Sequence, residues 1–283
     1  MNDQEYSYLK SQILKLTNLN IDSYKSQQMR RRLEGFVARS AAPDAINYCR
    51  LLERDQSRRR ELIDFLAINV SEFFRDAHLF QYLKVTVLPE LLRNNRRLNI
   101  WSSACSCGQE PYSLAIILEE LCRTDQKYRI LATDIDESAL ERSRNGGPYP
   151  PAEVRNVDQR LLNRFFVQTA EGYRIADRLR SRVEFRRHDL LRESYERGFD
   201  LIVCRNVIIY FSDQVRDSLY QRFHRSLKAG GVLFTGGSEV ILRPRDLGFN
   251  ILCPSFYQKL PVSAEVALPV RDKGGDSNCA EYP

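Results

Sequence analysis

Residues capable of chemistry are sparse in this chain, and their types narrow what it can do. The three histidines, His78, His188 and His224, lie far apart without metal-ligand spacing. Cys105-x-Cys107 is a metal signal without a second pair, so no metal is expected. What remains is a set of acids, an amide and a guanidinium group: Glu110, Asp134, Asp189, Arg205 and Asn206. No nucleophile–base pair stands among them. Such a set can bind and orient a nucleoside while offering little acid–base chemistry. That suits group transfer from a reactive cofactor, where positioning does most of the work.

The elements that must position this set follow from hydrophobic pattern. Leu98 to Trp101 reads as a strand, Ser102 to Gly108 as a loop of small residues, and the stretch beyond as a helix with Pro111 in its first turn. Such a loop lets a ligand approach the backbone at the positive end of a helix. The glycine fingerprint of dinucleotide enzymes is absent, because Gly108 is the one glycine there, and so is a phosphate-loop Lys-Ser/Thr pair. Tyr128 to Thr133 predicts a second buried strand ending at Asp134, where an acid can accept from ribose hydroxyls or cap the helix Glu137 to Arg144. Val183 to Arg187 and Phe199 to Cys204 predict further strands. Arg205 and Asn206 then lie beyond the carboxyl end of a central strand, where α/β sheets bind ligands. A helix from Asp213 to Leu227, the strand Val232 to Thr235 and a late edge strand Phe256 to Lys259 complete an α/β, doubly wound sheet. A small β-hairpin insertion is expected at about 150–182, with strands Arg164 to Gln168 and Tyr173 to Ala176.

Ahead of this core, residues 1–76 read as an all-α N-terminal domain. Asp22 is a candidate N-cap for a helix burying Met29, Leu33, Phe36 and Val37. Lys25, Arg32 and Arg39 form a basic stripe beside that face, with Arg30 and Arg31 close by: a solvated face or a docking surface for an acidic partner. His78 to Leu92 reads as a helix interrupted near Pro89. The α/β core is expected over 77–260, and 261–283 as a disordered tail without periodicity.

Composition adds bounds. In 283 residues, 43 basic and 37 acidic groups give a formal charge of +6, which allows an acidic partner without demanding nucleic acid. Seven unevenly spaced cysteines suggest reduced thiols. Neither a signal peptide nor a membrane-length apolar run is visible, so a cytoplasmic protein without direct membrane insertion is expected.

Several motifs in order carry a resemblance: NVSEFFRD at 69–76, IWSSACSCGQEPYSLAI from 100, ATDID at 132–136, CRNVIIYF at 204–211 and GGSE at 236–239. Together they resemble the CheR-type chemoreceptor glutamate methyltransferases, over about residues 18–260. The resemblance implies a class I methyltransferase sheet, S-adenosylmethionine as cofactor and S-adenosylhomocysteine as product. It also implies glutamyl methyl ester formation on the cytoplasmic helical region of transmembrane chemoreceptors. Residue by residue, it implies that Asn69, Ser71 and Arg75 contact the cofactor, with Arg75 on its carboxylate. Glu110 would face the ammonium group, Asp134 the ribose, and Asp189 and Leu190 the adenine. Arg205 and Asn206 match the active-site Arg-Asn pair, and Tyr210 the tyrosine near the transferring methyl; Arg75, Arg205 and Tyr210 would be catalytic. Ala104, Cys107 and Gln109 depart from the common Gly, Thr and Glu, and the short turn between Gln168 and Tyr173 leaves docking of a receptor tail doubtful. A different methyl acceptor, or a cofactor-sensing adaptor without turnover, stays open on the residues alone.

Overall fold

A computed structural model of the chain describes residues 1–67, 71–123 and 126–261. The helical part comprises α1 (Asp3–Thr17), α2 (Ser26–Arg39), α3 (Ala45–Arg54) and α4 (Gln56–Ala67). A capping box starts α1, with Asn2 and Glu5 each accepting the other's backbone N–H. Met29, Leu33 and Val37 of α2 turn inward against Leu9, Ile13, Leu52 and Leu62, the face its spacing predicts. Asp22 does not cap α2. It lies in a 3-10 turn, Ile21–Ser23, where its N–H donates to Asn20 Oδ1, and Lys25 precedes α2 without a side-chain cap. The Asn20 side chain turns the chain two residues early, leaving Asp22 outside capping position.

The basic stripe is also not uniform. Arg32 and Arg39 stack over the Phe65 ring at 5.0 and 5.5 Å, and Arg30 pairs with Asp3 and Glu34. Lys25 and Arg31 are the exposed cations at its head.

After Phe73 and Phe74, which join the core of the second part, come α5 (Ala77–Tyr82), a wide π turn (Leu83–Val87) and α6 (Leu88–Asn94). The expected interruption is this wide turn, which precedes Pro89, a residue with no N–H to give the helical ladder. The remaining elements are β1 (Arg97–Ser103), α7 (Gln109–Leu121), β2 (Lys127–Asp134), α8 (Glu137–Arg144), α9 (Gln159–Phe165), β3 (Phe166–Thr169), β4 (Gly172–Ile175), α10 (Asp177–Arg180), β5 (Val183–Arg187), β6 (Phe199–Cys204), α11 (Asp213–Ser226), β7 (Leu227–Thr235), β8 (Phe249–Cys253) and β9 (Phe256–Lys259).

Seven strands form one sheet in the order β5-β2-β1-β6-β7-β9-β8; β3 and β4 make a separate antiparallel hairpin. The first five are parallel and the last two antiparallel, so the carboxyl ends of β5, β2, β1, β6 and β7 share one edge. β6 is buried along its whole length, as a strand covered on both faces must be. One expectation fails: β9 is interior. β8 pairs on its outer side and takes the edge, while Phe256 and Tyr257 are buried. The turn at Pro254 and Ser255, with Ser255 at φ 73°, folds β8 back along β9, and exposed Ile251 faces out from β8.

Among the described residues no helix is long and apolar enough to cross a membrane. The tail residues 262–283 lie outside the described residues.

Candidate functional site

The loop leaving β1 is shaped by alternating left-handed residues: Ala104 at φ 57°, Ser106 at φ 49° and Gly108 at φ 88°. Alternation of this kind turns successive N–H groups to one side. Cys105 N–H donates to Thr133 O at 2.9 Å, and Ser106 N–H donates to Asp134 Oδ2 at 2.7 Å. Gly108 opens α7 with no room for a side chain, since an added Cβ would lie 2.9 Å from Ser143 Cβ and Oγ. The Cys105 and Cys107 thiols are buried, and burial pushes both upward in pKa. Among the described residues no group of three or more His, Cys, Asp or Glu is placed to hold a metal.

Asp134 closes β2. Its second oxygen accepts Asp136 N–H at 3.0 Å, so the carboxylate is fixed by two backbone donors. It does not cap α8; Asp136 does, accepting from Ser138 and Ala139. Burial lifts the Asp134 carboxyl to about 6 against the pull of those backbone N–H groups. Glu110, in the first turn of α7, accepts from Ser102 Oγ at 2.7 Å and lies 3.5 Å from Arg205 Nη1. Burial raises Glu110, opposed by the Arg205 guanidinium and the Ser102 hydroxyl.

Arg205 leaves β6 and is enclosed. Its side chain is 2% exposed, between the rings of Phe80 and Phe234 at 5.2 and 4.8 Å. Its Nη2 donates to Asp76 Oδ2 at 2.7 Å and to Arg75 O at 2.8 Å. The guanidinium therefore ties the segment carrying Arg75 to the strand edge. Asp189, beyond β5, accepts Leu191 N–H at 2.8 Å.

These side chains converge. Ser71, Arg75, Glu110, Asp134, Asp189, Leu190, Arg205, Asn206 and Tyr210 all line one cleft at the carboxyl edge of the sheet. Asn69 lies outside the described residues. The helical part supplies a wall that sequence reasoning missed: Leu19, Asn20, Tyr24 and Leu66. Lys25 N–H donates to Tyr210 O at 2.9 Å, Ser212 N–H donates to Ser23 O at 3.0 Å, and the Tyr24 and Phe211 rings lie 5.1 Å apart. The connector before α2 is thus stitched to the loop that carries Tyr210. Burial pushes the Tyr24 hydroxyl up to about 12. No periodic signal marks such a contact, because it forms between irregular segments far apart in sequence.

His188 was also missed as a wall residue. It lines the cleft beside Asp189, with its ring edge-on to Trp101, Nδ1 3.3 Å from Glu193, and burial lowering its pKa. The cleft thus offers fixed carboxylate acceptors, apolar walls and guanidinium groups, which are the donor and acceptor types a charged nucleoside cofactor requires.

Comparison with known proteins gives a consistent result. Residues 69–252 match the family described as CheR methyltransferase, SAM binding domain, and residues 4–67 match CheR methyltransferase, all-alpha domain. A chemotaxis protein methyltransferase of Listeria monocytogenes is 40% identical over 258 residues, covering 91% of this chain and 98% of the relative. Chemotaxis protein methyltransferase 1 of Pseudomonas aeruginosa is 40% identical over 204 residues, covering 68% and 74%, and a chemotaxis protein methyltransferase of Borreliella burgdorferi is 32% identical over 254, covering 85% and 89%.

Proposed function

The chain belongs to the CheR methyltransferase family, and from that premise we propose that it converts glutamate side chains on the cytoplasmic helical region of transmembrane chemoreceptors into methyl esters. S-adenosylmethionine, when bound, supplies an electrophilic methyl on a sulfonium, and S-adenosylhomocysteine remains after transfer. The observation that carries this reading is the convergence of nine separately placed residues on one cleft.

The chain's own residues divide the work. Asp134, held by two backbone N–H groups, keeps its remaining lone pairs for ribose hydroxyls. Asp189 and Leu190 take the adenine, Asn206 and Ser71 add polar contacts, and Asn69 is assigned to the same group by its motif. Glu110 faces the cofactor's ammonium group and Arg75 its carboxylate. Tyr210 orients the reacting groups. Arg205 places its Nη1 and Nη2 donors on Glu110, Asp76 and the Arg75 carbonyl, and so holds the segment carrying Arg75 at the cleft. A glutamate carboxylate is ionised at neutral pH, with an ordinary pKa of about 4.3, so no general base is required. The residues have to desolvate, align and exclude water.

Incubation with labelled S-adenosylmethionine and chemoreceptor-bearing membranes, followed by alkali, tests the acceptor. Esters release volatile labelled methanol. Label that stays on protein through alkali would overturn the glutamate reading.

The exposed cations Lys25 and Arg31 are the proposed receptor contacts, next to the Tyr210 loop. Reversing both to Glu should raise receptor KM about 3- to 10-fold, less so at high salt, and leave cofactor affinity unchanged. Unaltered receptor kinetics would reduce them to a solvated face.

A further inference from the structure

Glu239 does not itself line the cleft, yet it organises a loop that does. Its residue is 3% exposed, and its carboxylate is wrapped by backbone donors. Oε2 accepts Asn206 N–H at 2.8 Å and Gly236 N–H at 2.7 Å; Oε1 accepts Val207 N–H at 2.9 Å and Ile208 N–H at 2.8 Å. Ile209 N–H points at the same oxygen from 3.4 Å. Four consecutive amides of residues 206–209 are thus gathered by one side chain reaching from beyond β7.

The loop needs such an anchor. Asn206 stands at φ 60°, a strained conformation for a residue with a side chain, and the turn leaves its amides without partners in a strand or helix ladder. A buried amide without an acceptor is costly, so the carboxylate decides which loop conformation persists. Gly236 is fitted to the anchor. A Cβ there would lie 2.6 Å from Glu239 Oε2 and 3.2 Å from Asn206 Nδ2. Thr235 Oγ1 donates to the Glu239 carbonyl at 3.0 Å, holding the residue from its other end.

We propose that Glu239 is a positioning residue for methyl transfer: its carboxylate sets the conformation of residues 206–209 and thereby the place of Asn206 and Tyr210 at the cleft. The kinetic half rests on the proposed transfer; the geometric half does not. Glu239→Gln keeps size and burial but turns an amide donor toward the backbone donors, and Glu239→Asp keeps the charge while retracting it by one methylene.

Two measurements test this. Hydrogen exchange of the amides of residues 206–209 should speed up about tenfold or more in E239Q, with exchange in β1 and β2 unchanged. Turnover should fall between about 10- and 100-fold while the Kd for S-adenosylhomocysteine moves less than about threefold. In the double variant with Tyr210→Phe the losses should be non-additive, because both act through the tyrosine. If E239Q does not fold, E239D carries the same measurements with smaller shifts. Unchanged exchange at 206–209, unchanged turnover, or additive losses with Tyr210→Phe would each overturn the proposal. A wild-type protein that transfers no methyl to receptors would sink the proposed reaction and leave the exchange test standing.

Discussion

Two loops meet at the carboxyl edge of the sheet, one after β1 and one after β6, and they are held in unlike ways. The first is built by its own backbone. Left-handed Ala104, Ser106 and Gly108 set its course, and its main side-chain tie is Asp134 at the end of the neighbouring strand. The second is built from outside. Glu239, 33 residues away from Asn206, supplies its acceptors, and Arg205 at its root is clamped to Asp76, 129 residues away. A loop shaped by local conformation tolerates changes in remote parts of the chain. A loop shaped by buried charges fails when any one of them loses its partner, since an unpaired buried charge costs more than the pair contributes.

The largest test of that contrast is Arg205→Ala. It strands Asp76 and Glu110 without their guanidinium and opens a gap between Phe80 and Phe234. Chemical denaturation should show a loss of about 3–5 kcal/mol. A loss below about 1 kcal/mol would mean that the second loop is also self-supporting.

Asp134→Ala comes next and falls on binding. If Asp134 is the proposed charged acceptor of two ribose hydroxyls, its removal should cost about 1.5–3 kcal/mol per bond, read as a rise in the Kd for S-adenosylhomocysteine by calorimetry. The same residue sets a pH dependence. With its carboxyl lifted to about 6, the cleft loses its ionised acceptor as pH falls through that value, and affinity should drop by up to about tenfold per pH unit below it. For folding the sign is opposite. The folded-state value is raised, so the ligand-free protein binds the proton more tightly than the unfolded chain. Stability from this group is therefore fully present at low pH and is lost as pH rises from about 4 through about 6. Asp134→Asn should flatten both slopes; slopes unchanged in that variant would assign them to another group.

The smallest effects come from the first loop and should have opposite signs. Gly108→Ala forces a Cβ against Ser143 in a left-handed residue and should destabilise by about 1–3 kcal/mol. Ala104→Gly removes a side chain from a left-handed position, against the greater freedom of glycine in the unfolded chain. Thermal unfolding should move by less than about 1 kcal/mol, in the stabilising direction. Destabilisation by Ala104→Gly would show that the methyl packs rather than strains.

The sequence by itself determined the alternation of strands and helices, the bounds of β5, β6 and α8, and which residues stand at the carboxyl ends of strands. These are local properties. Periods of 2 and 3.6 record which side of an element is buried, and a strand end places its next residue at the ligand-binding edge whatever lies beyond. The motifs 69–76, 100–116, 132–136 and 204–211 carried most of the residues proposed for the cleft.

Tertiary structure decided what depends on pairing across the chain. It put β9 inside and β8 at the edge, because strand order is set by which edges find partners and not by the strand's own residues. It turned Arg32 and Arg39 from a free stripe into a lid on Phe65, brought Tyr24 against Phe211, and made Glu239, the last residue of the GGSE motif, the acceptor for a distant loop. Each of these is a side chain satisfied by a group tens of residues away. Side-chain type records that such a partner is needed, and only the folded chain specifies which group supplies it.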